Sequence, residues 1–184
     1  SEELQRLARM VSDMLFLAKT EHGLALPSRE TIAVEVEAQA LFDFYEALAA
    51  DKEIRLELVG SGAVSGDRLM LRRALSNLLS NALRHASPGT VVSIEIQSVE
   101  SVEVGVSNRG PGISPEMLPR LFDRFFRVDK SRTHPESDGA GLGLAITRAI
   151  MAAHGGGISV SSTSGVTRFT LSFPKSDSLV QEAN

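Results

Sequence analysis

The sequence predicts an α+β fold: a two-layer α/β sandwich in which a mixed, mainly antiparallel sheet is covered by three helices, preceded by one long helix. Three observations carry this. Alternating apolar segments come as neighbours, Val91–Gln97 beside Val102–Ser107 and Ile158–Ser162 beside Thr167–Phe173, so they pair as hairpins. Three longer stretches, Glu37–Asp51, Asp67–Ala86 and Leu144–His154, repeat apolar residues at helical spacing and can cover one face of the sheet. The strands are too short and too often hairpin-linked for a doubly wound parallel sheet.

Taken in order, residues 2–21 form the preceding helix. Leu4, Leu7, Val11, Met14 and Ala18 fall at alternating spacings of three and four, the seam of a coiled coil or helical hairpin. One helix cannot bury such a stripe alone. The regular seam favours pairing in a dimeric bundle; packing on the rest of this chain is the other reading. A linker follows over 23–30, with Gly23, Pro27 and Ser28. Thr31–Glu35 reads as a short strand. The helix over Glu37–Asp51 carries Ala38, Leu41, Phe42, Tyr45 and Leu48. Ile54–Val59 alternates as a half-buried strand, and Ala63–Ser65 is another. Asp67 is placed to cap the helix that runs to Ala86, whose buried face is Leu71, Ala74, Leu75, Leu78, Leu79 and Ala82. Beyond the first hairpin, Asn108–Ile113 is a glycine-rich turn, Glu116–Phe126 is helix-like, and Arg127–Asp138 is polar without periodicity. Gly155-Gly156-Gly157 stops the last helix. Residues 175–184 read as a disordered tail.

Composition narrows the function classes. The chain has 184 residues, 42% apolar and 23% charged, with a formal net charge of −4, which argues against a nucleic-acid binder. There is no cysteine, so disulfides and thiolate metal sites are excluded. His22, His85, His134 and His154 have no metal-ligand spacing. No apolar run approaches the roughly 20 residues that span a bilayer. The chain reads as cytosolic or as a soluble piece of something larger. Its abrupt start in a helix favours the second, with no membrane contact by the piece itself.

Three blocks carry chemistry. Gly139-Ala140-Gly141-Leu142-Gly143-Leu144 places glycines at every second position directly before a helix. Glycines let backbone approach a bulky anion, and the helix start supplies unpaired N–H groups and a positive dipole end. The block is a phosphate-binding loop or, read alone, a hinge. Asn77 and Asn81 lie one helical turn apart in an otherwise apolar helix, with Arg84 and His85 beyond them. Buried amides without partners cost free energy. They are either locally bonded, or they offer a carbonyl oxygen to a hard cation such as Mg²⁺, which takes few protein ligands. Arg84 would then neutralise phosphate charge. Asn108-Arg109-Gly110-Pro111-Gly112-Ile113 ends a strand with a short polar side chain before glycines, suited to a flat ring; alone it is only a turn.

In this order the blocks resemble the ATP-binding catalytic domain of bacterial sensor histidine kinases, of the GHKL or Bergerat fold. Leu75–Ala86 is similar to the N box, Asn108–Ile113 to the first glycine box, Leu121–Asp129 to the F box and Gly139–Leu144 to the second glycine box. The resemblance covers residues 31–174, and residues 1–22 resemble the second helix of a dimerisation hairpin. The wording of the first glycine box and F box is most similar to the heavy-metal (copper or silver) sensor subgroup. The resemblance implies that Asn81 is the main Mg²⁺ ligand, with Asn77 beside it and Arg84 near the phosphates. His85 would occupy the position of an aromatic near adenine. Asn108 takes the place of an aspartate that accepts from the adenine amino group, and Gly110 and Gly112 admit the base. Phe122, Phe125 and Phe126 would anchor an ATP lid, and Arg127 would reach the γ-phosphate. Gly139, Gly141 and Gly143 would wrap the phosphates, and Thr167 would support the adenine pocket.

The same resemblance implies a protein-histidine kinase fragment using ATP and Mg²⁺. It would phosphorylate a histidine on a helix absent from this chain, for relay to a response regulator. The whole protein would be a homodimeric inner-membrane sensor with this part in the cytoplasm. Two departures stand out: Asn108 is uncharged where aspartate is expected, and no histidine here has the phosphoacceptor pattern. A water-using ATPase of the gyrase or Hsp90 kind would need a glutamate where Asn77 stands, and an amide cannot act as a base. A non-catalytic nucleotide-binding or dimerisation module is the other alternative.

Overall fold

In the computed structural model, residues 1–21, 23, 26, 28–128 and 141–175 are described. His22, Asp129, His134, Gly139, Ala140, most of the polar stretch Arg127–Asp138 and the tail beyond Lys175 lie outside them.

The chain builds α1 (Glu2–Glu21), β1 (Glu30–Ala33), α2 (Val34–Asp51), β2 (Arg55–Gly60), β3 (Ala63–Gly66), α3 (Arg68–His85), β4 (Val91–Ser98), β5 (Val102–Arg109), α4 (Gly143–Ala153), β6 (Gly157–Thr163) and β7 (Val166–Ser172). The main sheet has five strands in the order β2-β4-β5-β7-β6. Three of its pairings are antiparallel and β2–β4 is parallel. The short strands β1 and β3 pair in a separate ribbon. The mixed, mainly antiparallel sandwich is therefore what the hairpin pattern predicts.

The inner sheet face is apolar in register. Val104, Leu171 and Ile158 form one row across β5, β7 and β6, and Val106, Phe169 and Val160 the next. The same core holds Leu71, Leu75, Leu78 and Leu79 of α3, Ala38 and Phe42 of α2, and Met151 of α4. Asp67 caps α3 as expected: its carboxylate accepts from Met70 N at 3.0 Å. Burying one leucine-sized side chain contributes about 1.5–3 kcal/mol, so the leucine face fixes where α3 lies.

Several boundaries differ from the sequence reading. α2 starts at Val34 rather than Glu37, because Val34 N donates to Gly62 O and β1 ends early. Asn108 and Arg109 belong to β5 rather than to a turn, held by β7. The helix-like run Glu116–Phe126 forms only one 3₁₀ turn, Leu118–Arg120. Pro119 removes a backbone donor there, and Leu121 and Phe122 pack inward as a docked loop. The α1 seam, Leu4, Leu7, Val11 and Met14, is exposed. A different face of α1 packs on this chain: Leu17 is buried with Ala74, Leu142, Ile146 and Ile150, and Met10 and Phe16 sit beside it.

Candidate functional site

α3 runs between the two glycine-rich blocks and touches both. At its middle, the Asn77 side-chain amide donates to Gly143 O at 3.1 Å and to Thr147 Oγ1 at 3.4 Å. Thr147, fully buried, itself donates to Gly143 O at 2.8 Å. Asn77 thus anchors the first turn of α4 to α3. At the far end of α3, Ser87 N donates to Arg109 O at 2.8 Å. A Cβ on Gly110 would fall 2.4 Å from His85 O, so only glycine lets the first glycine block lie this close to the helix.

Asn81 lies between those two contacts and is half-buried. Its Oδ1 accepts from Arg84 Nη2 at 3.2 Å, a bond to its own helix that a ligand can displace. Among the described residues no group of three or more His, Asp or Glu side chains could hold a metal. A caged ion does not fit this chemistry. A hard cation arriving with phosphate oxygens and waters, taking a single amide oxygen from the protein, does fit.

The second glycine block meets the loop at Phe125. Phe125 N donates to Gly141 O at 2.9 Å, and a Cβ on Gly141 would lie 2.6 Å from Phe125 C. Gly141 has φ +75° and Phe125 itself φ +64°, a conformation that a bulky side chain rarely adopts. Such strain persists where the surroundings hold it, and it clusters at functional loops. Phe122 is anchored edge-on to Phe169 at 6.2 Å and Phe126 lies under the Arg120 guanidinium at 4.6 Å. Phe125, by contrast, is exposed. Arg127 follows, half-buried. Leu142 and Leu144 face the interior, Leu142 against α1 and Leu144 against the main core. Among the described residues no side chain caps the start of α4, and a helix start of this kind offers first-turn N–H groups to an anion.

The apolar rows of the inner sheet face end in a polar one. Asn108, Thr167 and Ser162 sit opposite one another across β5, β7 and β6, and Asn108 and Thr167 are each 5% exposed. Ser162 Oγ lies 3.1 Å from Thr167 Oγ1 and accepts from Ile113 N at 2.9 Å, which ties the Gly112–Ile113 backbone to the sheet. Gly112 has φ +77° there. The structure thus brings Asn108, Thr167, Gly110, Gly112 and Ile113 together at one end of the sheet. His85, at the end of α3, is exposed rather than enclosed with them. Ser162 was missed by the sequence reading; the alternation of β6 after Ile158 and Val160 puts it on the inner face and is the signal that finds it.

Other buried polar groups near α3 are spent within the fold. Glu37, 1% exposed, accepts from Arg68 and Arg72. Burial raises its pKa, but the hydrogen bonds and charges of Arg72 and Arg68 outweigh that and hold the carboxyl below its ordinary value. His154, buried, shares Nδ1 with Ile150 O at 2.7 Å and accepts from Asp67 N at Nε2 at 3.1 Å.

Residues 66–177 match the family model described as histidine kinase-, DNA gyrase B-, and HSP90-like ATPase. The sensor histidine kinase CusS of Escherichia coli K12 is 49% identical over 175 residues, covering 94% of this chain and 36% of the relative. The chain therefore spans about a third of the length of such curated relatives. Among solved structures, the Acinetobacter baumannii histidine kinase AdeS superposes with a TM-score of 0.79 at 24% identity, over 96% of this chain and 82% of that one, a likeness of fold. Full-length ShkA in complex with AMPPNP gives 0.77 at 26% identity, over 95% of this chain and 38% of that one.

Proposed function

The chain belongs to the histidine kinase-, DNA gyrase B- and HSP90-like ATPase family, and from that premise we propose that it is the ATP-binding catalytic part of a two-component sensor histidine kinase. The observation that carries this reading is the course of α3, whose amide-bearing half bonds to the phosphate-type glycine block at one end and packs on the ring-type glycine block at the other. A triphosphate nucleotide is the ligand whose two ends match those two blocks.

Each residue then has a task. Asn108 and Thr167 meet the base edge beneath the Gly110–Ile113 backbone. The N–H groups of Gly143 and Leu144 face the phosphates, with Gly141 beside them; Gly139 and Ala140, outside the described residues, would complete the loop on the family pattern. Asn77 holds that helix start in place, and Arg84 and Arg127 spread phosphate charge. Asn81 would hold magnesium, which would supply neutralisation of the phosphate oxygens. Phe122 and Phe126 would anchor a water-excluding lid formed by the stretch beyond Val128, which lies outside the described residues. The accepting group is a histidine imidazole from a dimerisation helix: its nitrogen bonds to the γ-phosphorus while the bond to the bridging oxygen breaks, and ADP leaves. Water is a poor competitor because Asn77, at the place of a general base, cannot take a proton.

The parent protein on this reading is a dimeric membrane sensor that relays phosphate to a response regulator, with α1 half of its dimerisation hairpin. The glycine-box and F-box wording supports placing that parent in the heavy-metal sensor subgroup. No described helix is long and apolar enough to cross a membrane.

The test supplies the missing hairpin helix with its histidine as a separate polypeptide, with γ-labelled ATP and magnesium. Acid-labile, base-stable label on that histidine is expected. Saturable nucleotide binding with no label transfer would instead favour a non-catalytic module.

A further inference from the structure

We propose that Asn108 makes the base pocket tolerant at the purine 6-position, so that it takes guanine nucleotides as well as adenine nucleotides. This rests on the nucleotide reading above and concerns which base that same site accepts.

A carboxylate at this position only accepts hydrogen bonds, so it selects a base edge that donates, as the adenine 6-amino group does, and repels the guanine 6-oxo group. A carboxamide presents an acceptor and a donor from the same stem. A half-turn about its broad terminal torsion exchanges them. Whether it can turn depends on its neighbours. A backbone carbonyl or N–H beside it would fix one orientation.

The Asn108 amide nitrogen lies near the Gly110 backbone, 3.6 Å from where a Cβ there would stand, and across the sheet the side chains on its face are hydroxyls. Thr167 stands opposite it in β7, and Ser162 opposite Thr167 in β6. The two oxygens lie 3.1 Å apart and either one can donate. Ile113 N–H enters the row from one end and is satisfied by Ser162 Oγ in both cases. If Ser162 donates to Thr167, the Thr167 proton points onward as a donor. If Thr167 donates to Ser162, its oxygen is left as an acceptor. The row can therefore reverse without breaking a bond.

Adenine offers a donor at its 6-amino group and an acceptor at N1; guanine offers an acceptor at its 6-oxo group and a donor at N1. Asn108 Oδ1 with a donating Thr167 suits the first pair. Asn108 Nδ2 with an accepting Thr167 suits the second. Both sets of partners come from the same three side chains, with no change of backbone.

Isothermal titration of the chain with the magnesium complexes of ADP and GDP tests this without turnover. The two dissociation constants are expected to agree within about tenfold, and Asn108→Asp is expected to tighten ADP, weaken GDP and widen their ratio by about 10- to 100-fold. Inosine diphosphate on the unmodified chain, which keeps the 6-oxo group and lacks the 2-amino group, is expected within about tenfold of ADP as well, and this arm stands even where the variant does not fold. A preference for ADP over both 6-oxo nucleotides of more than about 100-fold would overturn the proposal, as would an unchanged ratio in a folded Asn108→Asp chain. Binding of ADP alone sinks this inference and leaves the nucleotide site standing; binding of no nucleotide sinks both.

Discussion

The two halves of α3 both place polar side chains in an apolar helix, and they use them in opposite ways. In the first half, Arg68 and Arg72 close on the buried Glu37, and Asp67 is fixed by Met70 N and by His154. Those bonds join α2, α3 and α4 and end inside the protein. In the second half, Asn81 bonds one turn along its own helix, and Asn77 reaches the glycine that opens α4. There the bonds lie beside the two glycine blocks. A polar residue in a leucine face therefore marks a ligand site only where its partner can be given up. The comparison predicts that substitutions in the second half cost activity, and substitutions in the first cost stability.

The largest effect is expected at Asn81. Asn81→Ala should lower magnesium-dependent label transfer by about 100- to 1,000-fold, the loss seen when one preorganised electrostatic group is removed. Its urea midpoint should stay close to that of the unmodified chain, because the side chain is half-buried and no packing is lost. Equal transfer rates would erase the distinction between the halves.

Gly66→Ala, at the end of β3 just before α3, probes the structural end next. A Cβ there would sit 2.4 Å from His154 Cδ2 and Nε2, on a ring that two hydrogen bonds hold in place. Overpacking of this kind costs about 1–3 kcal/mol, read from urea unfolding, with the nucleotide dissociation constant unchanged.

Glu37→Gln should cost less, about 1–2 kcal/mol, since both arginines are partly exposed and keep water when the charge is removed. A shift in nucleotide affinity instead of stability would break the comparison from the other side.

The smallest effect is in acid. The Glu37 carboxyl is held below its ordinary value, so its ionised form contributes stability that is complete above the unfolded-state pKa. That contribution is lost as pH falls through the lower folded-state value. Urea midpoints measured downward from neutral pH should drop in that window, and Glu37→Gln should flatten the drop.

Local pattern exposed much of this molecule in advance. The β4–β5 and β6–β7 hairpins and the cap of α3 at Asp67 follow from alternation and cap chemistry over a few residues, and all three form. The amide pair stood out because leucines surround it. Long-range pairing was hidden: nothing local says that β2 joins β4 in parallel or that β1 and β3 leave the main sheet. The run Glu116–Phe126 misled because its apolar spacing serves docking of Leu121 and Phe122 on the core, with Pro119 in its path. Alternation along β6 puts Ser162 on the inner face, but its part in the site was hidden, since its partners Ile113 and Thr167 become neighbours only when β6 closes on β7.

The central claim is that a nucleotide lies along the amide-bearing half of α3, between the two glycine blocks. Hydrogen exchange of the full chain with and without magnesium–ATP tests it most directly. Protection is expected in residues 77–86, 108–113 and 141–147 together, while α1 and the Glu37–Arg68 region stay as they were. Saturating nucleotide that protects other segments and leaves those three unchanged would contradict the account.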